Sequence, residues 1–213
     1  MREASCNFLR AIKHDHLRSR EYDMACNPNP KVFCKSLIRR LTSSCHQEIK
    51  AEFENIASVS ARPDNEWSID LKNPLNDYEE RKAVTIRASE LQEMENEHQA
   101  PVNFAVKWEG ANKMSTLIIM NAGDKALKGK KKQPSNAPRP VVESETWTPV
   151  LAVDCRGVEP SGWNKGEDEF TVESTGGSKF EEGVDFSDDW CEYCEKSEDS
   201  VGINNVEWRW TTV

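Results

Sequence analysis

Seven cysteines and four histidines are the side chains of this 213-residue chain best suited to hold a metal or attack a substrate. Cys191-Glu192-Tyr193-Cys194 is its one Cys-x-x-Cys. That spacing serves structural zinc when a second pair completes the tetrahedron, and thiol exchange when the first cysteine has a lowered pKa. No second pair follows residue 48, although Cys155 offers a third thiol and His98 a further nitrogen. Cys191, Cys194 and Cys155 are therefore open to three readings: inert thiols, a metal contact, or a redox site.

Other chemistry has less to work with. His14, His16 and His46 lie in an irregular N-terminal stretch, and His98 lies in a polar, loop-like one, so a Ser/His/Asp or Cys/His nucleophile system is not expected. There is no Gly-x-Ser-x-Gly elbow, no phosphate loop and no Gly-x-Gly-x-x-Gly. No catalytic residue is assigned, and the chain is read as non-enzymatic. Carboxylates crowd the stretch Glu181 to Asp199, but Asp185 to Trp190 lacks the ligand register of a calcium loop. This stretch reads as a solvated acidic surface, or as a patch that binds a protein partner.

The elements that must position these groups are strands. Side chains alternating with period two place every second residue on a buried face. Ile49, Ala51 and Phe53 alternate in this way, as do Trp67, Ile69 and Leu71, then Val84 and Ile86, and then Val102, Phe104, Val106 and Trp108. A more buried strand is predicted over Met114 to Met120, followed by Leu151, Val153 and Cys155, by Phe170 and Val172, and by Val206, Trp208 and Trp210. Only the segment from Ser89 to Glu97 suggests a short helix. The pattern predicts an all-β domain over 48–213, a sandwich or barrel of two strand-rich halves. A Lys/Pro-rich loop at 121–140 divides the halves, and residues 1–47 form an irregular extension. Lys50 to Ile56 and Ala152 to Pro160 echo one another faintly, as a duplicated half would.

Charge narrows the partners. Residues 1–48 hold nine Lys or Arg and five Asp or Glu, whereas the remainder holds nineteen and thirty-two, a net of -13. An acidic body repels phosphate backbones, so nucleic acid is not an expected partner, with only the Lys128 to Lys132 run arguing otherwise. No apolar run approaches the ~18 residues of a membrane span. Without a signal-peptide pattern, and with an odd number of cysteines, the thiols are expected to be reduced inside the cell. Oligomeric state is not readable.

Cys155-Arg156-Gly157-Val158-Glu159-Pro160, then Phe186-Ser187-Asp188, Asp189-Trp190 and Ser200-Val201-Gly202-Ile203, resemble in order the C-terminal half of the CXXC-motif-containing zinc-binding protein family. Ile49 to Ile56 resembles its opening strand, and Trp67 to Lys72 the strand before its first metal knuckle. The resemblance implies an all-β fold, a largely cytoplasmic location and no established enzymatic activity. Relatives carry two Cys-x-x-Cys pairs around one zinc. Here the equivalent positions carry Asn73 and Asn76, then Trp108 and Ala111, none a usual zinc ligand, so no cofactor is expected and the family's zinc is read as lost. Apolar packing around Trp108 and Ala111 is the expected replacement for the metal crosslink.

Overall fold

The computed structural model describes residues 42–94, 99–120, 138–166 and 169–213, all within the compact unit 35–213. Among the described residues it is all-β, with no helix. The strands of the first half are β1 (Thr42–Glu54), β2 (Ile56–Ala61), β3 (Trp67–Asn73), β4 (Asn76–Ile86), β5 (Phe104–Val106) and β6 (Ser115–Ile119). Those of the second are β7 (Thr148–Arg156), β8 (Glu159–Trp163), β9 (Phe170–Ser174), β10 (Lys179–Phe180), β11 (Trp190–Cys194) and β12 (Asp199–Thr212).

Alternation is visible in burial. Trp67, Ile69, Leu71 and Asn73 of β3 point inward with half-buried residues between them. Phe170, Val172 and Ser174 of β9 repeat the pattern. In β7 both faces are covered from Thr148 to Val153, which is why this strand reads as a continuous run of apolar and small residues. Trp67, Trp163, Phe170 and Phe186 meet at the centre, with Phe170 and Phe186 stacked at 4.8 Å.

The largest sheet, which curls as a half-barrel, has the order β11-β12-β1-β7-β6-β5, and two smaller sheets have the orders β10-β9-β2 and β4-β3-β8. Pairing each strand with the one six places on returns the large sheet reversed and exchanges the two small ones. This is a pseudo-two-fold between halves, and the Lys50–Ile56 and Ala152–Pro160 echo falls on its related strands β1 and β7. The junctions that end both strands share a conformation: Asn55 and Gly157, equivalent in that echo, have φ of 54° and 70°. The halves are not separate, because β2 of the first joins β9 of the second, and β8 joins β3.

Three expectations need correction. The domain boundary placed at residue 48 falls inside β1, which starts at Thr42. Cys45, His46 and Gln47 are all buried, so the strand is covered on both faces there and shows no alternation. The helix suggested for Ser89 to Glu97 is absent from its described part, where Gln92 forms an isolated antiparallel bridge to Val102. Trp108 lies in a turn beyond β5, not within the strand whose phase it continues. The segments 1–41 and 121–137, with the Lys run, and His98 lie outside the described residues.

Candidate functional site

The two turns that stand where the family resemblance puts its thiolate pairs lie against one another. Asn73 and Asn76 face each other across the β3–β4 hairpin, with Pro74 and Leu75 as its two-residue loop. The Leu75 amide donates to Asn73 Oδ1 at 3.0 Å and the Tyr78 amide to Asn76 Oδ1 at 3.3 Å. Such side-chain acceptors close a turn by taking up amides that the ladder leaves unpaired. Trp108 to Ala111 forms a second tight turn, in which the Ala111 amide donates to the Trp108 carbonyl at 3.1 Å and Gly110 supplies a φ of 70°.

Glu79 joins the two turns. One carboxylate oxygen accepts from Asn73 Nδ2 at 2.5 Å, and the other accepts from the Glu109 amide at 3.2 Å. Trp108, 4% exposed, completes the contact: its Nε1 donates to the Gly157 carbonyl at 2.7 Å. The Arg81 guanidinium lies 5.6 Å from the ring centroid, close enough for a cation–π attraction. A side chain at Gly157 would be strained, since its φ is 70° and an added Cβ would come 2.4 Å from Ser115 Oγ, which gives the Cys-Arg-Gly string a local reason for its glycine.

These residues do not fit zinc. Both asparagine oxygens are already acceptors within their own turns, the Trp108 nitrogen is only a donor, and Ala111 offers no ligand atom. Among the described residues no cluster of three or more His, Cys, Asp or Glu is arranged to hold a metal. The expected inward packing of Trp108 is observed, and Ala111 packs partly against the core. Glu79 is the part that sequence reasoning missed, because beside Glu80 it looks like one more solvated acid.

The pseudo-two-fold carries this region onto a second one at the opposite hairpins. There the β11–β12 turn Cys194 to Ser197 corresponds to Trp108 to Ala111, and the β9–β10 turn corresponds to the β3–β4 turn. Cys194 is fully buried, with its sulfur 3.4 Å from Ser174 Oγ and 3.3 Å from Ser178 Oγ. The hydroxyls of Ser174, then Ser178 and Ser197, around the sulfur favour its thiolate form and hold its pKa down to about 6 against the opposing effect of burial. Cys191 is exposed on the opposite face of β11, since residues three apart on a strand point to opposite sides. The Cys-x-x-Cys is therefore not a facing pair. Cys155 lies on β7, with β12 and β1 between it and β11, and contacts Cys45. The Cys155 thiol donates toward Cys45, which lowers the Cys45 pKa to about 7 and raises that of Cys155. The three thiols singled out in the sequence are thus not brought together.

The sequence profile described as CXXC motif containing zinc binding protein, eukaryotic, matches residues 47–211. The UPF0587 protein CG4646 of Drosophila melanogaster is 29% identical over 158 residues, covering 73% of this chain and 89% of that protein. A hypothetical protein from Plasmodium falciparum has a similar fold, with a TM-score of 0.65 at 24% identity, covering 79% of this chain and 99% of that one. The crystal structure of C1orf123 superposes with a TM-score of 0.64 at 21% identity, covering 80% and 99%.

Proposed function

Because the chain belongs to the CXXC motif containing zinc binding protein family, eukaryotic, yet lacks both of its cysteine pairs, we propose that it is a non-enzymatic interaction protein whose knuckles are held without metal. The observation that carries this reading is the Glu79 carboxylate bonded to both knuckle turns, at Asn73 and at Glu109. In this reading the clasp, with Trp108 packed beneath it, takes over the crosslinking that a structural metal supplies in other folds. Zinc contributes about 10–16 kcal/mol in small zinc peptides, whereas a charge-assisted hydrogen bond contributes about 1.5–3 kcal/mol. The clasp is adequate only because the twelve strands that carry it already share one core.

The interaction role is supported by surface character. Tyr78 beside the clasp is 97% exposed and Leu75 at the hairpin tip 62%, while the edge strand β11 presents Tyr193 next to the acids of Glu181 to Asp199. The partner is a protein, met in the cytoplasm, and nucleic acid has no part in the function.

Elemental analysis together with thermal melting tests this reading. The purified chain is expected to carry less than one zinc per molecule and to melt at the same temperature with and without a chelator. Glu79→Ala is expected to lower stability by about 1–3 kcal/mol. One tightly held zinc per chain that survives Cys191→Ser and Cys194→Ser would overturn the proposal.

A further inference from the structure

Strand β12 outruns the neighbour on its outer side. The pairing with β11 stops at Ile203, opposite Trp190, while β12 continues to Thr212. A bulge follows at Asn205, where φ is 53° and the amide donates to Asp189 Oδ1 at 3.0 Å. From Glu207 to Thr212 the register with β1 is continuous, and among the described residues β1 is the only strand beside this stretch.

One bond fixes the phase of the open side. The Val213 amide donates to the Ser44 carbonyl at 2.9 Å, so Thr211, Arg209 and Glu207 turn their main-chain groups toward β1. Trp208, Trp210 and Thr212 turn theirs away from it. Edges of native sheets are commonly blunted by lysine, proline or an inward charge. The stretch Val206-Glu207-Trp208-Arg209-Trp210-Thr211-Thr212 has none of these and is rich in strand-forming residues. It is anchored from beneath: Trp208 meets Trp163 edge to face at 6.4 Å, and Trp210 Nε1 donates to the Gly162 carbonyl at 3.4 Å, while both rings stay partly exposed.

We propose that this edge pairs with the same edge of a second copy of the chain, antiparallel about a two-fold axis at Trp208, so that the two large sheets become one. The joint is independent of how the knuckle turns are held.

Charge selects the register. An axis at Trp208 sets Glu207 opposite Arg209 of the second copy, and Arg209 opposite its Glu207. Both fall at non-hydrogen-bonded positions of the new ladder, where facing side chains come closest. Each is already paired within its own chain, Glu207 with Lys50 at 2.6 Å and Arg209 with Glu48 at 2.7 Å, yet their side chains remain 56% and 47% exposed. Across the joined sheet the row then runs Lys50 and Glu207 of one copy, Arg209 and Glu48 of the other, alternating in sign at every step. Moving the axis one residue either way sets Glu207 or Arg209 opposite its own copy, which like charges disfavour. On the inner face Trp208 meets Trp208, and Val206 meets Trp210. A single strand pair buries less surface than a permanent dimer does, so the association is weak and reversible. The net charge of -9 on each copy opposes it at low ionic strength and is largely screened at physiological salt.

Analytical ultracentrifugation of the full chain at physiological salt tests the dimer, with a reductant present so that exposed thiols such as Cys191 do not link chains. The average mass should climb from one chain toward two over about 1–500 µM. Glu207→Arg and Arg209→Glu should each weaken self-association roughly tenfold or more, because the symmetry turns two attractions into two repulsions. An equimolar mixture of the two variants restores both opposite-charge pairs and should associate as the unaltered chain does. Circular dichroism of each variant reports that the fold is retained, as expected for exposed ion pairs that contribute little to stability. A single-chain mass at every concentration, self-association unchanged by either reversal, or variants that stay apart when mixed would each rule this dimer out.

Discussion

Trp108 buries its ring and satisfies its one polar atom on the Gly157 carbonyl, so it contributes packing without leaving a donor unpaired. Trp108→Ala should lower stability by about 3–5 kcal/mol in chemical denaturation, and Trp108→Phe, which loses mainly the hydrogen bond, by about 1 kcal/mol. Glu169 acts in the opposite sense. Its folded-state pKa of about 7 lies above the ordinary 4.5, so folding favours the protonated form. Its contribution is fully present below pH 4.5 and is lost as pH rises to about 7, because the unfolded chain releases that proton first. Glu169→Gln should remove this slope from a plot of unfolding free energy against pH. The phase of Trp108 with Val102, Phe104 and Val106 led to the right expectation of a buried ring, although Trp108 lies in the turn beyond β5 and not in that strand. Neither Glu79 nor Glu169 was, because an acid's role depends on which distant amides and indoles surround it.

At the scale of the element, two turns stand where the family resemblance puts its thiolate pairs. Asn73 to Asn76 and Trp108 to Ala111 are tight turns closed by local hydrogen bonds, and Glu79 holds the pair together. If the backbone still presents a metal-knuckle register, cysteines at Asn73, Asn76, Trp108 and Ala111 together should yield a chain that binds one zinc and melts lower when a chelator is added. Elemental analysis and calorimetry would check both, and a folded variant that takes no zinc would show that the register has drifted. Strands with one solvated face, such as β3, were readable from alternation. The first residues of β1 were not, since Cys45, His46 and Gln47 are buried on both sides of the ribbon and mimic irregular sequence. The β11 turn was readable as a Cys-x-x-Cys, but strand geometry turns its two sulfurs apart.

For the whole molecule, the pseudo-two-fold explains why two faintly similar segments could be noticed at all: they form the central antiparallel pair, β1 against β7, about which the other strands are arranged. The exchange of β2 and β8 between halves could not be read from the sequence, because alternation specifies a face and not a neighbour. It predicts that fragments 1–147 and 148–213 each lack strand signal in circular dichroism when made alone and regain it when mixed. A fragment that shows native strand content by itself would contradict that interdependence.

The pairing of β1 with β12 also has a consequence for synthesis. Cys45 lies opposite Thr212, and Glu54 opposite Gly202, so β1 pairs with residues that are made well over a hundred positions after it. At about 5–20 residues per second, β1 waits on the order of ten seconds or more for that edge to be covered. During that interval its ladder groups on that side are open to other chains emerging nearby. The charges Glu48, Lys50, Glu52 and Glu54 along the strand are therefore as useful to the nascent chain as to the finished one.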